Sequence, residues 1–359
     1  MKNINYSLLI YLLFPVLAWG IIPEGKYKKE KLIQQSFAVD NRQAVYINNT
    51  YGNVNIISWD KNIVEIKVGI SVDGNDEDAV DARLKSIRIE IDKDVNEIMA
   101  KTHIDKVKTS WSLISLFTGK SHHTNFKINY EVHIPLNSNL RLVNDYGNVF
   151  INRLEGKLNL NVDYGKFEIG ELLHADNHIQ ADYLSLSVID FIDSGYIDAD
   201  YSKININVAH ELNLKCDYTT ININEIRRIN FNNDYGGIHI DKVKEVEGTG
   251  DYQSRYFGEV NSVDFNGDYG SLTIKGLLLG FEKSKLTCDY TTIRIENDYQ
   301  VPYRLQIYQE YGCFKYSDLT ILREMQKDAD KKIEAFYKDP DATSLIKINE
   351  DYGCIKIYN

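Results

Sequence analysis

The dipeptide Asp-Tyr recurs through most of this chain at near-constant spacing, and this repeat limits the folds open to the sequence. Between residues 146 and 311 the steps are 17 to 21 residues long, which is too short for the common helix-containing repeats. A unit of this length is typical of one coil of a β-solenoid. The frame tyrosines are Tyr51, Tyr146, Tyr164, Tyr183, Tyr201, Tyr218, Tyr235, Tyr252, Tyr269, Tyr290, Tyr311 and Tyr352.

Apolar residues flank each corner in a fixed pattern when the frame tyrosine is numbered 0. Positions +3 and +5 are apolar in nearly every coil, as in Val149 and Ile151, and positions −6 and −4 behave similarly. Alternation with period two indicates half-buried strands. Each repeat therefore predicts two short strands joined at an Asp-Tyr-Gly corner. Stacked coils would pair in parallel and bury one continuous interior, giving an all-β solenoid of roughly twelve coils.

The corner tyrosines have two readings. Position −2 is small in six coils, for example Ala181 and Cys216, and by alternation it shares the inward face with the tyrosine. We therefore expect the rings to stack along one inner corner as a structural ladder. The alternative is an outward aromatic ladder that binds a glycan or another protein.

A carboxylate array accompanies the tyrosines at position −1. Its members are Asp145, Asp163, Asp182, Asp200, Asp217, Asp234, Asp251, Asp268, Asp289 and Asp351. Stacked carboxylates could hold Ca²⁺, but one carboxylate per coil supplies few of the oxygens that calcium needs. The favoured interpretation is an Asx turn in which each carboxylate accepts N–H groups of the corner. We predict no metal and no cofactor.

Residues 37–139 interrupt the short period. They are predicted to form wider coils or a cap at the N-terminal end, with a short helix near 76–86 that carries acidic residues in its first turn. A loop follows, and its apolar tip at Trp111, Leu116 and Phe117 is a candidate binding site. The repeated coils occupy residues 140–359.

A second interruption covers residues 317–340, where apolar spacing predicts an amphipathic helix near 318–338 packed on the flank. If that helix is an insertion, the coils of Cys313 and Cys354 are neighbours, about 4.8 Å apart by strand spacing. This separation permits a disulfide but does not require one. Cys216 and Cys288 lie four coils apart, so two buried thiols are expected there.

Composition and the first residues bear on location and partners. The net charge of −11 argues against nucleic acid, because phosphate binding needs clustered Lys and Arg. Residues 1–20 resemble a signal peptide, with Lys2 before an apolar run and Ala18-Trp19-Gly20 as a cleavage site. An uncleaved anchor is the alternative. No later segment is apolar enough to span a membrane, and no catalytic motif is evident.

The motifs at 144–149 (Asn-Asp-Tyr-Gly-Asn-Val), 162–167 and 233–238 resemble the bacterial “putative adhesin” β-strand-repeat family. The resemblance covers about residues 37–359. It implies a right-handed parallel β-solenoid exported by a Gram-negative bacterium, to the periplasm or the cell surface. The expected function is a non-catalytic, adhesin-like binding or scaffold module for an unknown envelope protein or glycan. The alternatives are a self-associating structural envelope protein and a β-helix carbohydrate-active enzyme.

Overall fold

A computed structural model describes residues 25–39, 43–106 and 123–359 of the chain. In these segments the protein is all-β, with 26 strands in one mixed sheet and a single short helix. The predicted signal peptide at 1–20 and the predicted binding residues Trp111, Leu116 and Phe117 lie outside the described residues.

Antiparallel and parallel strands combine at the N-terminal end. The elements there are β1 (Tyr27–Ala38), β2 (Ala44–Thr50), β3 (Val54–Trp59), β4 (Ile63–Gly74), α1 (Glu77–Ser86), β5 (Ile87–Lys93), β6 (Glu97–Ile104) and β7 (Thr124–Pro135). β2 pairs in parallel with β6, and β3 with β7, while β1 with β4, β4 with β7 and β5 with β6 pair antiparallel. The predicted short helix is confirmed as α1, whose N-cap Asp76 accepts the Ala79 N–H at 3.1 Å.

Parallel strands fill the middle of the chain. They are β8 (Leu140–Asp145), β9 (Asn148–Leu154), β10 (Leu158–Asp163), β11 (Lys166–Leu172), β12 (Asn177–Asp182), β13 (Leu186–Asp200), β14 (Lys203–Asp217), β15 (Thr220–Asp234), β16 (Gly237–Thr249), β17 (Gln253–Asn266), β18 (Gly270–Leu277), β19 (Lys283–Asp289) and β20 (Thr291–Glu296). Each repeat pairs in register with the next, so Ile204, Ile221 and Ile238 are consecutive Cα partners. These three side chains are at most 1% exposed, and each contributes about 1.5–3 kcal/mol by its burial.

The C-terminal elements are β21 (Tyr303–Glu310), β22 (Cys313–Tyr316), β23 (Thr320–Lys327), β24 (Asp330–Tyr337), β25 (Leu345–Asp351) and β26 (Cys354–Tyr358). The prediction of a helix near 318–338 is therefore wrong, because β23 and β24 form an antiparallel hairpin there. Burial within β24 alternates as it does in a strand, so Ile333, Ala335 and Tyr337 point into the core. Leu322 and Met325 on β23 remain exposed.

The spatial order of the last coils differs from their order in sequence. β25 pairs with β19 on one side and with β21 on the other, and β26 lies in the same way between β20 and β22. The last two strands thus lie between strands that precede them in sequence, and Cys313 and Cys354 are direct neighbours in register. None of the helices among the described residues is long and apolar enough to cross a membrane.

Candidate functional site

The frame tyrosines occupy the left-handed backbone region at every corner. Their φ angles run from 51° to 65°, a region that costs an L-residue roughly 1–2 kcal/mol. This conformation breaks the alternation of the strand, so position −2 points inward while the tyrosine points outward. At the corner of Tyr146, for instance, Asn144 is fully buried and the tyrosine is 51% exposed.

The expectation that the rings face inward is therefore wrong, and the outward alternative describes the structure. All twelve rings stack in one continuous series with centroid separations of 4.8–5.2 Å and interplanar angles of 1–12°. Eleven steps of about 5 Å give a ladder about 55 Å long. Phe126 meets the first ring, Tyr51, edge-on, and Tyr311 ends the series with 62% exposure.

The stacking determines what the ladder can contact. Each ring face is covered by the next ring, so the surface consists of ring edges and phenol hydroxyls. Partial burial and the neighbouring phenols raise the pKa of Tyr164, Tyr201 and Tyr235. The ladder is a stripe of phenol hydroxyls along an acidic protein.

The aspartate carboxylates bond between coils rather than within one corner. Asp200 Oδ1 accepts the backbone N–H of Asp217 at 3.0 Å, and Asp251 Oδ1 accepts that of Asp268 at 2.8 Å. At six corners the expected Asx turn is replaced by such a bond from the neighbouring repeat, whereas Asp163 Oδ1 has no hydrogen-bond partner. Partial burial and the nearby carboxylates of Asp182 and Asp145 raise the pKa of Asp163. Among the described residues no three His, Cys, Asp or Glu side chains are grouped to hold a metal.

Inside each corner, positions −2 and +1 share one small volume. Where −2 is large, as in Asn144 or Glu350, position +1 is glycine; where −2 is small, +1 carries a side chain, except at Tyr269, which has glycine at both positions. Glycine is required at 147 because a Cβ there would lie 1.9 Å from the carbonyl oxygen of Gly52. The relation between the residues at −2 and +1 is present in the sequence. Its physical reason is clear only once the tyrosine side chain is known to point outward.

Side chains at these two positions satisfy the corner carbonyls that the strand pairing leaves free. Thr219 Oγ1 donates to the carbonyl of Ala199 at 2.8 Å, and Asn49 Nδ2 donates to the carbonyl of Ile128 at 3.0 Å. A hydroxyl at +1 and an amide at −2 therefore do the same work at these two corners.

One coil departs from this apolar interior. Arg255 replaces the usual aliphatic residue at +3 and is 1% exposed, with its guanidinium 4.3 Å from the ring centroid of Phe265. Nη2 donates to the carbonyl of Gly250, whereas Nε and Nη1 have no protein partner. Burial lowers the pKa of Arg255 to about 10. A buried cation with two unpaired nitrogens opposes stability.

The cysteines divide into a bonded pair and two thiols. The structure joins Cys313 to Cys354, whose Cα atoms are 4.5 Å apart. Cys216 and Cys288 are free and buried, which confirms the expected thiols. Burial raises the pKa of both to about 12, so neither is a reactive thiolate.

No family model and no curated protein matches the sequence. A solved “putative cell adhesion protein” from Clostridium sporogenes is 12% identical, with 92% of this chain and 99% of that chain covered and a TM-score of 0.20. A “putative adhesin” from Parabacteroides distasonis is 10% identical, with coverage of 91% and 97% and a TM-score of 0.34. A “putative lipid binding protein” from the same organism is 10% identical, with coverage of 93% and 98% and a TM-score of 0.32.

Proposed function

We propose that this chain is an exported, non-catalytic, adhesin-like binding module of a Gram-negative envelope, with the tyrosine ladder as its contact surface. The observation that carries the proposal is the row of twelve stacked rings, each between 42% and 62% exposed. Tyrosine is enriched at protein interfaces because it supplies a large apolar body with a polar tip at low entropic cost. A pre-ordered row of such side chains loses little freedom on binding.

The frame that presents the ladder is, in this proposal, a right-handed parallel β-solenoid. Parallel pairing between consecutive repeats, in unbroken register from β13 to β17, supports this architecture. Right-handed connections between parallel strands are the rule for L-amino acids. Signal-peptide features at 1–20 support export, to the periplasm or the cell surface.

A protein partner suits the ladder better than a glycan does. Sugars bind aromatic side chains through the exposed faces of the rings, and here those faces are covered. Ring edges and neutral hydroxyls instead resemble the tyrosine-rich surfaces with which proteins contact other proteins.

The test compares binding of the exported chain to isolated envelope fractions with that of a variant altered in the ladder. Asn is used at Tyr201, Tyr218 and Tyr235 because it removes the ring yet tolerates the left-handed conformation. Control variants carry Asn at Tyr308 and Tyr316, which are exposed outside the ladder. At least tenfold weaker binding by the ladder variant alone, with its circular dichroism spectrum unchanged, supports the proposal, and equal binding by all variants contradicts it.

Self-association through the ends is the second candidate. β23 pairs only with β24 among the described strands, and Leu322 and Met325 on it are 61% and 42% exposed. An exposed strand edge with apolar side chains can pair with a second copy. Sedimentation at rising concentration distinguishes this candidate, because a chain that remains monomeric does not assemble through its ends.

A further inference from the structure

The Asp-Tyr copy at 298–299 lies outside the repeat frame and has a different setting. It forms the turn between β20 and β21. The turn is fixed by Asn297, which is 1% exposed: its Nδ2 donates to the carbonyl of Val301 at 3.0 Å, and its Oδ1 accepts the Val301 N–H at 3.0 Å. Gln300 N–H donates to the Asn297 carbonyl at 2.9 Å. Tyr299 is therefore presented by an ordered turn.

The Tyr299 ring leans back over the strands instead of joining the ladder. A Cβ at Gly276 would lie 3.2 Å from Cε2 of the ring, so the absence of a side chain there makes the seat for it. The phenol hydroxyl donates to the carboxylate of Glu259. Tyr299 remains 48% exposed in this position.

A second aromatic ring, that of Tyr256, lines the same groove. One face of this ring is covered by His239, with centroids 4.3 Å apart and planes 5° apart. Its next partner in the strand register is Thr273, which carries no ring. The space between Tyr256 and Tyr299 is a groove of about 390 Å³ that Gly258 and Gly276 also line.

Polar groups at the rim complete the site. Asp241 and Glu259 offer carboxylate acceptors, and Lys275 offers a donor while it pairs with Glu296 and Asp298. With Lys242, the lining carries three carboxylates and two ammonium groups, a balance that disfavours phosphate and other anionic ligands.

We propose that this groove binds one neutral hexopyranose residue of a glycan chain. A pyranose presents an apolar C–H face to an aromatic ring and hydroxyl donors to carboxylates, and the groove offers both at once. Its volume lies at the lower end of the range for small-ligand sites, which suits a single sugar ring. The inference rests on the proposed binding function but assigns a different surface and a different ligand from the ladder.

The experiment uses saturation-transfer NMR and titration calorimetry on the exported full chain with four probes: cellohexaose, maltohexaose, mannohexaose and chitohexaose. At least one probe is expected to bind with a dissociation constant in the micromolar to millimolar range. Tyr299→Ala and Gly276→Val should each weaken that binding at least tenfold, because the first removes a wall and the second displaces it. Tyr316→Ala is the matched control and should bind as the wild type does.

The inference is overturned if none of the four probes binds at millimolar concentration, or if Tyr299→Ala binds within twofold of the wild type. Unchanged melting of Tyr299→Ala, a substitution in a surface turn, excludes unfolding as the cause of lost binding. The ladder variant with Asn at Tyr201, Tyr218 and Tyr235 separates the two proposals. It should retain sugar binding while it loses envelope binding, and loss of sugar binding by a ladder variant whose circular dichroism spectrum matches the wild type would also overturn the assignment to the groove.

Discussion

Tyr218 offers a direct test of the idea that ring stacking offsets backbone strain at each corner. Its φ is 53°, and its ring stacks at 4.8 Å on Tyr201 and at 4.9 Å on Tyr235. Substitution by Ala removes both stacks but keeps the strained backbone. Substitution by Gly removes both stacks and the strain together.

The expected magnitudes follow from these contacts. Each stacked pair contributes about 0.5–1.5 kcal/mol beyond its buried area. The ring is 50% exposed, so about 100 Å² is buried, worth roughly 2.5 kcal/mol. Tyr218→Ala should therefore lower the free energy of unfolding by about 3.5–5.5 kcal/mol. Glycine avoids a strain of about 1–2 kcal/mol but adds about 0.5–1 kcal/mol of unfolded-state entropy. Tyr218→Gly should be more stable than Tyr218→Ala by about 0.5–1 kcal/mol.

Equilibrium urea unfolding followed by circular dichroism measures both variants. Lys244, exposed within β16 and absent from the left-handed region, is the control position. There the order should reverse, with Gly less stable than Ala by about 0.5–1 kcal/mol. If Ala is at least as stable as Gly at position 218, strain at the corner is refuted.

Three further predictions concern the interior and the ends. Arg255→Met should raise the free energy of unfolding by about 1–4 kcal/mol, because it replaces a poorly paired buried cation with an apolar side chain; a lower melting temperature than wild type would contradict this. Burial and the Asp182 carboxylate raise the folded-state pKa of Asp163, so the folded protein gains stability as pH falls through that pKa. Asp163→Asn should thus be more stable than wild type at pH 7, with the difference shrinking towards pH 4, and pH-independent melting differences would refute it. Peptide mapping without reductant should recover Cys313 linked to Cys354, and the double Ser variant should lose about 4 kcal/mol for a loop of 41 residues; a loss under 1 kcal/mol would contradict the loop-entropy argument.

Much of the strand content could be predicted because the apolar alternation repeats in every coil. The pairs at +3 and +5, such as Ile204 and Ile206, are buried as the pattern requires. The direction of the tyrosine could not be derived in the same way. Alternation assumes extended backbone at every residue, and one left-handed residue such as Tyr146 shifts the pattern by one position.

The C-terminal hairpin was missed for a related reason. Leu319, Ile321, Leu322 and Met325 fit helical spacing, and their apolar character suggested a buried stripe. Two of these, Leu322 and Met325, are exposed on an edge strand instead. The turn that separates β23 from β24 depends on Asp328 at φ 54°, a conformation that Asp tolerates but that no pattern of apolar residues reveals.

Residues that depart from the repeat pattern occur in compensating pairs, some inside the core and one at the surface. The coil of Tyr269 has glycine at both −2 and +1, and the space beside Gly267 is taken by Phe265, on which Arg255 stacks. These residues compensate one another within the core. Tyr299 and Gly276 are matched in the same way, since the ring occupies the position that a side chain would fill, yet their match holds open a groove at the surface. A compensated change in the core maintains packing, whereas this one maintains an opening, and that is the physical reason for proposing the sugar site at the copy of the motif that breaks the frame.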